Sequence, residues 1–169
     1  GQSPDALAID SALHRIYVTN LRGNSVSIVD EVSDGVVATV PVGRSPRGVA
    51  VDPVTHRVYV TSSDAGTLVV LDGSRMRAVA TVVVGAHPWG VAVASATARI
   101  FVTHGGIPDS TKDRTAYVIG HTVSVLDASS ETVLTTVTVG QAPIGVAVQP
   151  ATQRVFVTNF GSDAVSVLR

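Results

Sequence analysis

A chain of 169 residues with 45% hydrophobic and only 15% charged side chains is long enough for one domain with a sizeable core, yet none of its apolar runs approaches the ~18 residues of a membrane span. Its formal net charge of −1, from 12 Lys+Arg against 13 Asp+Glu, leaves no basic excess or stripe and argues against nucleic acid as a partner. The absence of cysteine excludes disulfides, thiolate metal sites and cysteine nucleophiles, while the redox compartment stays open.

The apolar residues fall in short, valine-rich bursts separated by Gly, Pro, Ser, Thr and Asp, the pattern of an all-β protein. Four units follow one another along a single domain, residues 1–169. Pro4, Pro46, Pro88 and Pro143 open them, at steps of 42, 42 and 55 residues. Arg15, Arg57, Arg99 and Arg154 keep the same spacing, and so do Asp30, Asp72 and Asp127. The units span 1–43, 44–85, 86–140 and 141–169. In the second, "GVAVD", "RVYVT", "TLVVLD" and "AVATVVV" read as four strands with turn signals too close together to admit helices. The third carries thirteen additional residues between its second and third strands. The fourth ends at "AVSVLR", with Arg169 where Asp127 stands one unit earlier, and so lacks an outer strand.

Four short antiparallel strands in a unit of about 42 residues describe one blade of a β-propeller. With the strands named a to d from the axis outward, the Val-Ala-Val a strands, each preceded by Gly48, Gly90 or Gly145, suit a crowded axis. "RIYVTN", "RVYVTS", "RIFVTH" and "RVFVTN", each preceded by a proline turn and an a strand, resemble the YVTN family of β-propeller repeats over essentially the whole chain. More distantly they are similar to NHL- and lactonase-like propellers. That resemblance implies bacterial or archaeal surface or secreted proteins, with lactonases and an antibiotic-opening lyase among related propellers. The abundance of Ala and Val, with Lys112 the sole lysine, points the same way, to a bacterial source. Three arrangements are open: four blades closing on themselves, two copies joined in an eight-bladed ring, or a part of a longer propeller.

Because antiparallel strands reverse at each turn, d–a and b–c turns share one face of the ring, and a–b and c–d turns share the other. His14 and His56 lie in a–b turns at a place that Ala98 and Gln153 also fill, as expected of a surface turn. His87, in the d–a turn, and His104 and His121, at the two ends of the long b–c loop, all belong to one face of blade 3. The residue after each opening proline, Asp5, Arg47, Trp89 or Ile144, changes type from blade to blade. This is where a ring can customise its mouth for a ligand, with Asp109 and Tyr117 of the insertion as further contacts. The plain alternative is that Trp89 packs against a neighbouring blade.

Two functions from different classes fit. The first is a binding or interaction module that takes a small molecule or protein at the mouth. The second is a small-molecule lyase, lactonase or isomerase with His87, His104 or His121 as base and Arg47 stabilising an oxyanion or enolate. No cofactor is predicted. Weak metal candidates are His87, His104, His121 and Asp109, with Asp113 close by, but their spacing matches no metal signature. No GxSxG, P-loop or dinucleotide motif is present. The repeated Asp and Arg residues read as architecture: aspartates shaping turns and arginines tying blades together.

Overall fold

The computed structural model describes residues 1–105 and 120–169. Among them, fifteen strands form four antiparallel sheets, each with its strands in sequence order. The first holds β1 (Pro4–Asp10), β2 (Arg15–Asn20), β3 (Ser25–Asp30) and β4 (Gly35–Pro41). The second holds β5 (Pro46–Asp52), β6 (Arg57–Ser62), β7 (Thr67–Asp72) and β8 (Arg77–Val83). The third holds β9 (Pro88–Ala94), β10 (Arg99–His104), β11 (Thr122–Asp127) and β12 (Thr132–Thr138). The fourth has three strands, β13 (Pro143–Gln149), β14 (Arg154–Asn159) and β15 (Ala164–Leu168). The only helical pieces among the described residues are two 3₁₀ turns, Ser95–Thr97 and Phe160–Ser162. The all-β, four-bladed expectation is met.

Aspartates set the turns, as their spacing predicts. Asp10 Oδ1 accepts the N–H groups of Ala12 and Leu13. Asp30 accepts those of Val32 and Ser33, and Asp127 those of Ser129 and Ser130. The Ser33 N–H, followed by the Ser33 hydroxyl, holds the Asp30 carboxyl below its usual range. The a–b and c–d turns close on residues of positive φ, among them His14, Asp34, His56, Met76 and Glu131, which lets a short loop rejoin the next strand.

The core lies between blades. In β2, Tyr17 and Thr19 point toward blade 2, while Ile16 and Val18 point away, because successive residues of a strand face opposite sides. Tyr17, Val26, Ile28 and Val40 of blade 1 thus pack on Val58, Val60, Val69 and Leu71 of blade 2. The next interface repeats this with Tyr59, Leu68 and Val70 against Val91, Ile100, Val102 and Leu126. The third sets Phe101 and Val123 against Val146, Val155 and Val157. Burial pushes the Tyr17 and Tyr59 hydroxyls up to about 12, so both stay protonated across the physiological range.

Two arginines reach the next blade's c–d turn, Arg15 at Met76 and Arg57 at Glu131, whereas Arg99 pairs within its own blade with Asp127 at 2.7 Å. His56 also crosses an interface: its Nδ1 lies 2.8 Å from the fully buried Asp10 carboxylate, while His14 stays exposed near Glu31. His56 therefore ties the a–b turns of blades 1 and 2 together.

The inner strands run side by side, β1 on β5, β5 on β9 and β9 on β13, and among the described residues no comparable packing joins β13 to β1. Among the described residues the four blades follow one another as an arc. The approach of inner strands is close. A Cβ built on Gly48 would stand 2.6 Å from the Trp89 carbonyl oxygen and 3.0 Å from the Val91 nitrogen. Gly48→Ala should therefore cost about 1–3 kcal/mol through a forced backbone shift, read as a lower urea midpoint at unchanged m-value. Blade 1 accommodates Ala6 at the corresponding place.

Candidate functional site

The residues that follow the opening prolines stand at the start of each inner strand, so packing of inner strands sets them side by side at the mouth. A threonine of each outer neighbour strand fixes the spacing. Thr19 Oγ1 donates to the Arg47 carbonyl at 2.9 Å, Thr61 to that of Trp89 at 2.6 Å and Thr103 to that of Ile144 at 2.8 Å. The same hydroxyls accept N–H groups from their own blades: Ala6, Gly48 and Gly90.

Three of the four predicted mouth residues come together. The Arg47 guanidinium carbon lies 3.7 Å from the Trp89 ring centroid, and Nη1 lies 4.0 Å from Asp5 Oδ2. The expected packing of Trp89 on a neighbouring blade and its place at the mouth are thus one arrangement. Stacking over an indole is worth about 0.5–2 kcal/mol, whereas an ion pair this long adds little. Desolvation lowers the Arg47 pKa, with Asp5 and then Asp64 opposing the shift. Arg47 Nε is buried with no hydrogen-bond partner among the described residues. The result is an oriented, half-buried cation with an unused donor. Ile144 lies one step further round, in a recess of about 380 Å³ shared with Thr158, Phe160 and Val165.

The three histidines of blade 3 have different surroundings. His104 is buried, only 6% exposed. Its Nδ1 is 3.0 Å from the Ala86 carbonyl and its Nε2 2.8 Å from Ser124 Oγ. Burial lowers its pKa, with the Ala86 contact partly opposing. Asn20 and Asn159 occupy the same place in blades 1 and 4, bonded to Ser27 and Ser166. His87 sits in the turn above with φ 49°, a conformation shared by Ser3, Ser45 and Ala142, and its buried Nδ1 lacks a partner among the described residues. It lines a shallow recess of about 260 Å³ with Asp64. His121 is exposed, and its carbonyl accepts the Val139 N–H.

The insertion leaves the blade beside the mouth. A Cβ on Gly105 would stand 2.5 Å from the Pro143 carbonyl, and one on Gly120 would collide with the His104 carbonyl. Two glycines therefore make a narrow stem against the start of β13. Asp109, Asp113 and Tyr117 lie outside the described residues. Among the described residues, no three His, Asp or Glu groups gather as a metal site.

Asp64 and the threonines escaped the sequence reading. The threonines stand in the sequence as the T of each "YVT" or "FVT" triplet, and Asp64 as the one acid in the b–c turn of blade 2. A larger cavity of about 640 Å³ opens at the opposite ends of the inner strands, between Val51, Val93 and Val148, with Ser95 and Gln153 at its rim. It has no charged lining residue.

No protein-family model matches the chain, and no curated protein sequence does. Solved structures do. Over 98% of its length the chain superposes on Kuenenia stuttgartiensis hydrazine synthase, with TM-score 0.83 and 20% identity, covering 45% of that chain. It superposes equally far on a chain in the crystal structure of the mitotic checkpoint complex, with TM-score 0.80 and 17% identity, covering 50% of that chain. Both are β-propeller proteins. The fold is a β-propeller. The chain spans half or less of the length of these propeller chains, and at such identities the likeness is one of architecture.

Proposed function

We propose that this propeller is a binding module of the YVTN-repeat kind, taking at its d–a and b–c face a ligand, small molecule or protein segment, that places a carboxylate or similar anion against Arg47. The observation that carries this is the Arg47 guanidinium, held flat on Trp89, half-buried, under-compensated by Asp5 and left with a buried unused donor. A planar cation with free N–H groups pairs best with a planar anion. Trp89 offers apolar area beside it, and the root of the long insertion stands nearby to wall the site. The family resemblance favours an extracellular or cell-surface location.

The enzyme alternative needs a histidine free to move a proton. His104 has both ring nitrogens engaged by its own scaffold, so His87, beside Asp64, is the group on which that alternative would rest.

Trp89 is the sole tryptophan, so fluorescence excited selectively at tryptophan reports on the mouth. Titration with a panel of aliphatic and aromatic carboxylates and of tryptophan-free acidic peptides should give a saturable emission change with at least one class. Arg47→Ala should abolish it and Arg44→Ala should leave it. A response that survives in Arg47→Ala, or none across the panel, would remove the proposal.

A further inference from the structure

Two d–a turns place an acidic recess beside Arg47. The turn before β5 holds Ser45, two residues ahead of Arg47, and the turn before β9 holds His87, two residues ahead of Trp89. Ser45 Oγ donates to Asp64 Oδ2 at 2.6 Å. The turn that carries Arg47 thus also anchors the carboxylate of the b–c turn in the same blade. Ser63, Asp64 and His87 line one recess of about 260 Å³ between blades 2 and 3. Both blades have a neighbour on either side, so the recess owes nothing to the ends of the chain.

The polar groups of this recess are not used by the fold. Ser63 is 1% exposed, and its hydroxyl has no hydrogen-bond partner among the described residues. The buried Nδ1 of His87 has none either. Asp64 is exposed, and only the Ser45 hydroxyl satisfies its carboxylate among the described residues. Buried polar groups left unpaired destabilise a fold, and two of them at one recess point to an occupant that pairs them. The lining holds a carboxylate and no lysine or arginine. A primary ammonium fits that set: its three N–H groups can reach the Asp64 carboxylate, the Ser63 hydroxyl oxygen and Nδ1 of a neutral His87 ring.

The charges around Arg47 ask for the same group. Asp5 Oδ2 stands 4.0 Å from Arg47 Nη1. Burial lowers the Arg47 pKa while Asp5 and then Asp64 raise it, so Asp64 lies within the field of the guanidinium. Neither carboxylate is close enough to neutralise Arg47, yet both oppose a further anion brought to it. A ligand that carries its own cation offsets that repulsion. With Arg47 taken as the anion site of the proposed function, we infer that the ligand is a zwitterion of the amino-acid class. Its carboxylate pairs with Arg47, its ammonium enters the recess of Ser63, Asp64 and His87, and an apolar side chain lies on Trp89.

L-Phenylalanine, 3-phenylpropionate and phenethylamine separate the two charges, and titration calorimetry with the 169-residue chain reads each of them. The amino acid should bind at least tenfold tighter than either analogue. Asp64→Asn, a change at an exposed side chain, should weaken L-phenylalanine at least tenfold. It should not weaken 3-phenylpropionate, because it removes like charge from the surroundings of Arg47. Ser63→Ala should weaken the amino acid severalfold without lowering the urea midpoint, since the hydroxyl has no partner to lose. Equal affinity for L-phenylalanine and 3-phenylpropionate, or a loss in Asp64→Asn shared by both, would overturn the inference and leave Arg47 standing as an anion site. Binding of none of the three would overturn it as well, and the carboxylate panel then decides whether the anion site falls with it.

Discussion

Thr61→Val should lower the unfolding free energy by about 2–4 kcal/mol, whereas Thr61→Ser should cost about 1 kcal/mol. Thr61 is fully buried. Its hydroxyl accepts the Gly48 N–H at 2.9 Å and donates to the Trp89 carbonyl at 2.6 Å, across the interface of blades 2 and 3. Valine keeps the shape and removes both bonds, leaving a buried donor and a buried acceptor, each worth about 1–3 kcal/mol when unsatisfied. Serine keeps the hydroxyl and loses only a methyl, about 0.8 kcal/mol of burial. Urea unfolding of the three proteins settles the comparison. Equal losses for Val and Ser would mean that packing, not the hydroxyl relay, joins the blades. Because the acceptor belongs to Trp89, the Val variant should also shift the tryptophan emission.

That relay explains why the mouth can vary while the ring does not. The hydroxyl binds the backbone carbonyl of the residue after the proline and is indifferent to its side chain. Asp5, Arg47, Trp89 and Ile144 are thus free to differ, and their side chains project from positions that the backbone alone secures. The pairing of Arg47 with Trp89 follows from adjacency in the ring: residues 42 apart in sequence become neighbours in space.

The period made the fold legible. Steps of 42 residues, four strands per step and aspartates at fixed places determine blades, turns and the sorting of turns onto two faces. What the period could not give was direction within a shared position. His104 reads as a site residue because histidine is the odd member of a set with Asn20, Ser62 and Asn159. The structure gives it the same task as the asparagines, since imidazole, like the carboxamide, can bridge a strand c serine. His56, set aside as a surface residue, instead meets Asp10 across a blade interface, a partner 46 residues away in sequence. The arginines could be assigned to blade ties by their recurrence. Which of them crosses depends on the c–d turn opposite, and Arg99 stays at home with Asp127.

His104→Asn should preserve stability at pH 8 to within about 1 kcal/mol and flatten its loss in acid, whereas His104→Ala should cost about 1–3 kcal/mol at pH 8. Asparagine already fills this place in blades 1 and 4, where its amide donates to a strand c serine. Alanine leaves Ser124 and the Ala86 carbonyl without their ring partner. The pH arm follows from burial, which lowers the folded-state pKa below the ordinary 6.5. As pH falls through about 6.5, the unfolded chain takes up a proton on this ring while the folded chain does not, so stability is lost progressively below that pH and is fully present above it. The other four histidines are common to both proteins, so the difference between wild type and His104→Asn isolates one ring. Parallel stability curves from pH 8 to 5 would mean that His104 is not held neutral by the fold. If His104→Asn folds as well as wild type yet abolishes a measured turnover, the residue has a chemical duty beyond bridging two strands, and the site moves from Arg47 to blade 3.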